Sequence, residues 1–149
     1  MMDVDYVLLA DAVTVADNKQ YIHGAAWDTI GAFQFPVVQP SLNIASLIRV
    51  PWNDANMTQM LELDVVDADG VSILPTPPGP PKGPITVGRS PQMIQGADTL
   101  VPLAFSLVNM RFDQPGTYAV LMRIDGVERK RFPFHVRLMS QMQQPTLAV

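Results

Sequence analysis

The chain has 149 residues, of which 48% are hydrophobic and only 16% are charged. A domain of this length buries about two-thirds of its unfolded surface, so the composition excludes a disordered protein. The absence of cysteine excludes disulfide bonds, thiolate nucleophiles and cysteine-ligated metal sites. A net charge of −4 argues against nucleic-acid binding, and no apolar run is long enough for a transmembrane helix.

The N-terminal residues 1–5 carry two acidic side chains and no basic one. A secretory signal peptide begins with a positively charged segment and continues into a long apolar stretch. We therefore expect a protein that is not exported, located in the cytoplasm, or in a virion if a phage encodes it.

Apolar and polar residues alternate with a period of two along much of the chain, which is typical of half-buried strands. The clearest alternating stretches are 42–50, 61–65, 117–124 and 131–138. Further strands are predicted near residues 4–15, 21–35 and 100–112. Trp27, inside the second of these, is assigned to the core.

Turn residues separate the predicted strands. Asp69-Gly70 and Asp125-Gly126 are each flanked by apolar or β-branched residues, and Asp-Gly favours the type I′ turn. They predict hairpins of 59–68 with 71–75 and of 117–124 with 127–138. Residues 17–19 are expected to form a turn, and residues 53–56 a loop or one helical turn.

Residues 75–91 contain seven prolines and three glycines. This density predicts a long, extended loop, partly polyproline II, with neither strand nor helix. It is inserted in a single domain spanning residues 1–139. The uncharged, glutamine-rich residues 140–149 are predicted to form a loose C-terminal tail.

These elements predict an all-β protein, an immunoglobulin-like β-sandwich of seven to eight antiparallel strands with a long Pro/Gly-rich loop. Residues 113–118 support this fold, because Pro115-Gly116 makes a turn and Tyr118 begins the next strand. In immunoglobulin-like sandwiches a tyrosine at this corner bonds through its hydroxyl to backbone a few residues upstream. The cysteine pair of antibody domains is missing, so only the topology class is implied.

Three stretches, 6–12 (YVLLADA), 22–27 (IHGAAW) and 116–126 (GTYAVLMRIDG), carry a resemblance to known proteins. Over residues 6–138 the chain is similar to a family of small bacterial proteins of unknown function, found mainly in actinobacteria. The resemblance implies the immunoglobulin-like fold and supplies no catalytic residues.

Candidate metal-binding residues are sparse. Residues 64–70 resemble part of an EF-hand loop, but with Gly70 at the sixth position, Val65 and Thr76 stand where acidic ligands are required. The interpretation favoured is a hairpin turn with solvated acids. Two histidines, His23 and His135, are too few for a catalytic zinc site, which usually has three protein ligands. No cofactor is predicted.

Catalytic signatures are equally sparse. Ser106, His23 and Asp28 contain the residue types of a catalytic triad, but the chain has no G-x-S-x-G nucleophile elbow. We therefore predict that the protein is not an enzyme, with a hydrolase of unrecognised site as a remaining alternative.

Basic residues concentrate near the C-terminus. Residues 1–110 carry four basic and eleven acidic groups, a net of −7, whereas residues 111–149 carry six basic and three acidic groups, a net of +3. We call the following six residues the basic hairpin: Arg123, Arg129, Lys130, Arg131, His135 and Arg137. By alternation, four of them (Arg123, Arg131, His135 and Arg137) face outward, with Arg129 and Lys130 near the turn. This surface is either a docking patch for an acidic partner, including a second copy, or a solvated sheet face or charged edge strand.

Two further features suit a partner. Trp52, among polar loop residues, is either an exposed interface anchor or a cap on one end of the core. Residues 77–81 match the P-x-x-P pattern of SH3 ligands, and an extended spacer or an arm laid on a neighbour fits them equally well.

Together these observations predict a non-enzymatic protein–protein interaction module, a structural or adaptor subunit of a larger assembly. A protein partner or second copy would bind through the basic hairpin, the Pro-rich loop or the tail, without nucleic acid or membrane. One alternative is a phage virion component, such as a capsid or tail decoration protein. Another is a module that binds a small ligand or glycan, although an aromatic content of 7% leaves little for a stacking platform.

Overall fold

The structure, a computed structural model, describes residues 1–141. These residues are all-β, with two 3₁₀ turns, Trp52–Asp54 and Met139–Gln141, and no α-helix. The nine strands are β1 (Asp3–Ala16), β2 (Lys19–Ala25), β3 (Thr29–Ala32), β4 (Val37–Val50), β5 (Thr58–Val66), β6 (Lys82–Thr86), β7 (Thr99–Phe112), β8 (Gly116–Ile124) and β9 (Val127–Leu138). Apart from residues 140 and 141, the predicted tail lies outside the described residues.

The strands form two sheets, one in the order β2-β1-β4-β7 and the other in the order β3-β9-β8-β5-β6. One apolar core joins them, because alternate residues of each sheet are buried in the same cluster. Its fully buried members include Leu9 and Ile44 from the first sheet and Leu63, Val120 and Phe134 from the second. The all-β, two-sheet prediction is therefore confirmed.

The strand count and the strand directions differ from the prediction of seven to eight antiparallel strands. The predicted strand near 21–35 is two strands, because Gly24 and Ala26 adopt positive φ angles of 63° and 68° and turn the chain. β2 stays in the first sheet, whereas β3 crosses to the second and runs parallel to β9. Trp27 lies between them, half-buried against the core, and its indole N–H donates to the Gly24 carbonyl at 2.7 Å.

A strand also forms where none was predicted. β6 lies inside the Pro-rich segment 75–91 and pairs with β5, with Pro84 opposite Met60. β6 is the last strand of its sheet. An edge strand tolerates proline because the backbone N–H groups on its outer side have no neighbouring strand to bond to.

The two Asp-Gly turns behave differently. Asp125 and Gly126 both have positive φ, 51° and 80°, and the predicted β8–β9 hairpin is confirmed. At Asp69-Gly70 only the glycine has positive φ, and a single bridge from Val66 to Ser72 replaces the predicted pairing of 59–68 with 71–75. The prolines that follow stop this ladder from continuing.

The corner before β8 has the predicted contact. The hydroxyl of Tyr118 donates to the carbonyl oxygen of Gln114 at 2.6 Å. The Tyr118 ring packs edge-on against Phe112 at 4.9 Å and stacks with Phe134 at 5.9 Å between centroids. These contacts fix the chain where it passes from β7, in one sheet, to β8, in the other.

Candidate interaction surface

Arg123, the first residue of the basic hairpin, is neutralised within the fold. Its guanidinium lies 2.5 Å from a Glu62 carboxylate oxygen and 3.1 Å from an Asp64 oxygen, and only 24% of the side chain is exposed. Burial opposes the charged form, but the hydrogen bonds to Asp64 and Glu62 together outweigh it and raise the pKa of Arg123. Arg123 is therefore part of a structural ion-pair network.

Arg131 is also paired. It faces outward as predicted and forms an ion pair of 2.9 Å with Glu128, whose pKa it lowers through hydrogen bonds. Arg129 lies near Asp125, and Lys130 lies near Asp5. Hydrogen bonds are the main cause of the lowered pKa of Asp125 and of Asp5. Arg129 lowers the pKa of Asp125 a little further, and Lys130 does the same for Asp5.

The structure brings His135 and Arg137 together on the outer face of β9. They border a shallow cleft of about 440 Å³, and Nδ1 of His135 lies 3.0 Å from the Thr117 hydroxyl. Within residues 1–141, Arg137 forms no ion pair. Arg129 and Lys130, near the turn, likewise form no ion pair in this part of the chain, so unpaired positive charge remains at both ends of the basic hairpin. Its role in binding stays a prediction.

Trp52 is half-buried at the start of the first 3₁₀ turn. The guanidinium carbon of Arg89 lies 4.3 Å from the centre of its ring, and Arg89 also donates to the Trp52 carbonyl oxygen at 2.7 Å. One face of the indole is therefore already occupied by a cation.

The longest free sheet edge was not singled out by the sequence. β7 has 14 residues, ends the first sheet, and pairs on one side with β4. It carries no charged side chain from Thr99 to Met110. Two large apolar side chains on its outer face are exposed, Leu100 at 40% and Val108 at 67%. Periodicity predicted this strand but not its position, since sheet order depends on contacts distant in sequence.

The side chain of Gln20 reveals which backbone groups of β7 are free. The β1–β2 hairpin folds over the outer face of the first sheet, and the Gln20 amide donates to the carbonyls of Ser46 and Leu103 at 2.7 and 2.9 Å. Ser46 and Leu103 are paired residues of β4 and β7. One nitrogen reaches both carbonyls only if both point into the space between β4 and β7, as they do in a hydrogen-bonded pair, where each carbonyl faces the N–H of the opposite residue.

The backbone direction alternates along a strand, so the even-numbered residues from 100 to 108 point their polar groups at the free edge. Pro102 is one of them, and its missing N–H therefore costs no bond to β4. The other four residues offer both a donor and an acceptor to an additional strand. β7 is thus able to accept a partner strand without disturbing its own sheet.

An apolar cleft of about 390 Å³ opens beside this edge, where the two sheets separate between β6 and β7. Val101, Leu103 and Phe105 line it from β7, and Leu61 and Leu63 line it from β5. The β7 side chains are only partly buried, because no strand follows β7 in its sheet. The free edge and the cleft form one continuous surface, which we call the β7 surface.

Among residues 1–141, no three histidine, aspartate or glutamate side chains are grouped so that they could hold a metal ion. No helix in the same part of the chain is long and apolar enough to cross a membrane.

A family model matches residues 5–137, which include seven complete strands, β2 to β8, and all but the outermost residues of β1 and β9. The chain belongs to DUF6941, a family of unknown function. No curated protein matches this chain. Among solved structures it is similar to an alkylpurine DNA glycosylase, AlkC, from Pseudomonas fluorescens, bound to DNA containing an abasic site analogue. The identity is 13% and the TM-score 0.35, over 88% of this chain and 30% of the glycosylase chain.

Proposed function

We infer that the two sheets form an immunoglobulin-like sandwich. Pairing of β4 with β7, and of β5, β8 and β9 in one sheet, matches the B–E and C–F–G pairings of that fold. Tyr118 supplies the tyrosine corner at the start of the strand equivalent to F. Two residues later, Val120 is fully buried where an antibody domain has its second cysteine, so apolar packing replaces the disulfide.

We propose that the protein is a non-enzymatic protein-interaction module, a structural or adaptor subunit, and that it binds its partner through the β7 surface. The observation that carries the proposal is the free, uncharged edge of β7 beside an apolar cleft. An edge strand offers backbone hydrogen bonds, and pockets for alternate side chains add selectivity, as in other domains that bind by strand addition.

The remaining sheet edges are protected in ways that β7 is not. β2 has 7 residues, β3 has 4 and β6 has 5, and β6 also contains Lys82 and Pro84. Short length, lysine and proline are the usual means by which edge strands avoid pairing with other chains. From Thr99 to Met110, β7 has only Pro102 as such a device, so we assign the docking role to this edge rather than to the others.

The test compares the two candidate surfaces of the same protein. A tagged chain and an untagged copy are co-expressed in the native host, captured, eluted stepwise with salt, and identified by mass spectrometry. We expect the wild-type chain and Arg137→Glu to retain the same stoichiometric protein and Ala104→Lys, on the free edge, to lose it. If only Arg137→Glu lost the retained protein, the docking surface would be the basic hairpin instead. If the wild-type chain retained no protein, the proposed function would be overturned.

A further inference from the structure

The free edge of β7 is self-complementary. Its outer-face residues from 100 to 108 are Leu100, Pro102, Ala104, Ser106 and Val108, with Ala104 at the centre. This alternation ends at Asn109, which adopts a positive φ of 53°. Beyond it the even-numbered side chains point into the core instead of the odd-numbered ones, so Met110 is buried. An antiparallel copy centred on Ala104 therefore meets a strand of the same length, with the same residues in reverse order.

We propose that the occupant of the β7 surface is a second copy of this chain, whose β7 pairs antiparallel with the first about a two-fold axis at Ala104. This inference rests on the proposed function and specifies its partner. The two four-stranded sheets would then become one sheet of eight strands. A closed two-fold pairing satisfies both edges at once and leaves neither free for further growth.

The outer face favours this register. It places the exposed Leu100 of one copy opposite the exposed Val108 of the other, twice in each dimer. Apolar pairs directly opposite each other on a sheet stabilise it, whereas opposed like charges destabilise it. No charged side chain occurs between Thr99 and Met110, so the paired residues of the two β7 strands bring no like charges directly opposite each other.

The inner face favours it as well. In the same register Leu103 lies opposite Phe105 of the second copy, and Val101 lies opposite its Leu107. All four side chains pack only partly against the core of their own copy. Because Val101, Leu103 and Phe105 line the apolar cleft, the second copy would remove water from both the edge and the cleft.

The backbone is compatible with the pairing. Centring on Ala104 places even residues opposite even residues, and these are the residues whose polar groups point at the free edge. Ala104 pairs with Ala104 of the second copy through two N–H···O=C bonds. Pro102 lies opposite Ser106 and accepts one bond without returning one.

A charge exchange at the two-fold axis tests the inference. Ala104 is exposed, so Ala104→Lys and Ala104→Glu leave the monomer fold intact. We expect a dimer for the wild-type chain in analytical ultracentrifugation, a monomer for each variant alone, and recovery of the dimer when the two variants are mixed. A wild-type monomer at every concentration, or variants that stay dimeric, would overturn the pairing.

Single cysteines test the register, because the chain has none of its own. In a hydrogen-bonded antiparallel pair the Cα atoms are about 5.5 Å apart, within the range that a disulfide spans. We therefore expect Ala104→Cys to form a covalent dimer on mild oxidation. Val108→Cys alone should not, since its two copies lie about 27 Å apart, but mixing it with Leu100→Cys should restore the cross-link. Cross-linking of Val108→Cys with itself would overturn the register.

The outcomes separate this inference from the function on which it rests. A monomeric chain that retains another protein, and loses it with Ala104→Lys, overturns self-pairing and leaves the interaction function standing. A chain that neither self-associates nor retains any protein overturns both.

Discussion

The hydroxyl of Tyr118 donates a 2.6 Å hydrogen bond to the carbonyl oxygen of Gln114, four residues earlier in the chain. A phenol with the ordinary pKa of 10.0 is already a protonated donor at neutral pH, and burial raises the pKa of Tyr118 further. The bond spans the connection between β7, which we propose as the docking strand, and β8 of the opposite sheet. It therefore holds the edge strand in a fixed position relative to the core.

Removing this hydroxyl tests its contribution. We expect Tyr118→Phe to lower the free energy of unfolding by about 1–2 kcal/mol, because the Gln114 carbonyl loses its donor while the ring keeps its packing. Chemical denaturation measures the change. Tyr21→Phe is the matched control, since Tyr21 is 49% exposed, and it should change stability by less than about 0.5 kcal/mol. Equal effects of the two substitutions would contradict the structural role of the corner.

The features that the sequence predicted correctly are local. The Asp125-Gly126 turn needs only two residues that tolerate positive φ, and the Tyr118 contact needs only a short turn. The alternation of apolar residues identified most strands because the period is set by the backbone of each strand alone.

The features that the sequence did not predict depend on distant partners. β6 forms despite Pro84 because it is an edge strand that pairs only with β5, and an edge strand tolerates a residue without an N–H on its unpaired side. Arg123 is outward-facing as predicted, yet its charge is neutralised by Glu62 and Asp64, which lie 61 and 59 residues away. The edge position of β7 depends on the order of strands in the sheet. None of these relationships leaves a signal in a local pattern.

The two ends of the basic hairpin should differ in their effect on stability. We expect Arg123→Met to lower the free energy of unfolding by about 2–3 kcal/mol, because it leaves the buried carboxylate of Asp64 without its cation. Arg137→Met should change it by less than about 0.5 kcal/mol, since Arg137 is exposed. Urea denaturation measures both. If Arg123→Met were as harmless as the Arg137 control, the ion pair would not be structural.

Asp5 makes stability depend on pH in the acid range. Hydrogen bonds from Arg49 hold the pKa of Asp5 below its ordinary value of 3.8 in the folded chain. The unfolded state therefore binds the proton first, so the stabilisation from Asp5 is complete above pH 3.8 and is lost as the pH falls through the lower folded value. We expect Asp5→Asn to lower the melting temperature at neutral pH and to flatten its fall below pH 4.

Thermal unfolding followed by circular dichroism across this pH range tests that expectation. Asp113→Asn is the matched control, because Asp113 also faces an arginine but is 74% exposed, and exposed pairs contribute little. Its melting curve should follow that of the wild-type chain at every pH. Parallel curves for Asp5→Asn and the wild-type chain would remove Asp5 as a source of the acid dependence.

Gln20 holds the β1–β2 hairpin against the sheet that contains β7. Its amide donates to the Ser46 and Leu103 carbonyls and accepts from the Tyr6 hydroxyl. Gln20→Glu preserves the shape but replaces both donors with a carboxylate oxygen facing two carbonyl oxygens. We expect faster hydrogen exchange in the hairpin and unchanged exchange between β4 and β7, because this substitution removes contacts of the hairpin and leaves the β4–β7 ladder in place. Gln39→Glu is the control, since its amide bonds only to the nearby Ser41 carbonyl. Identical hairpin exchange in the two variants would show that Gln20 does not hold it.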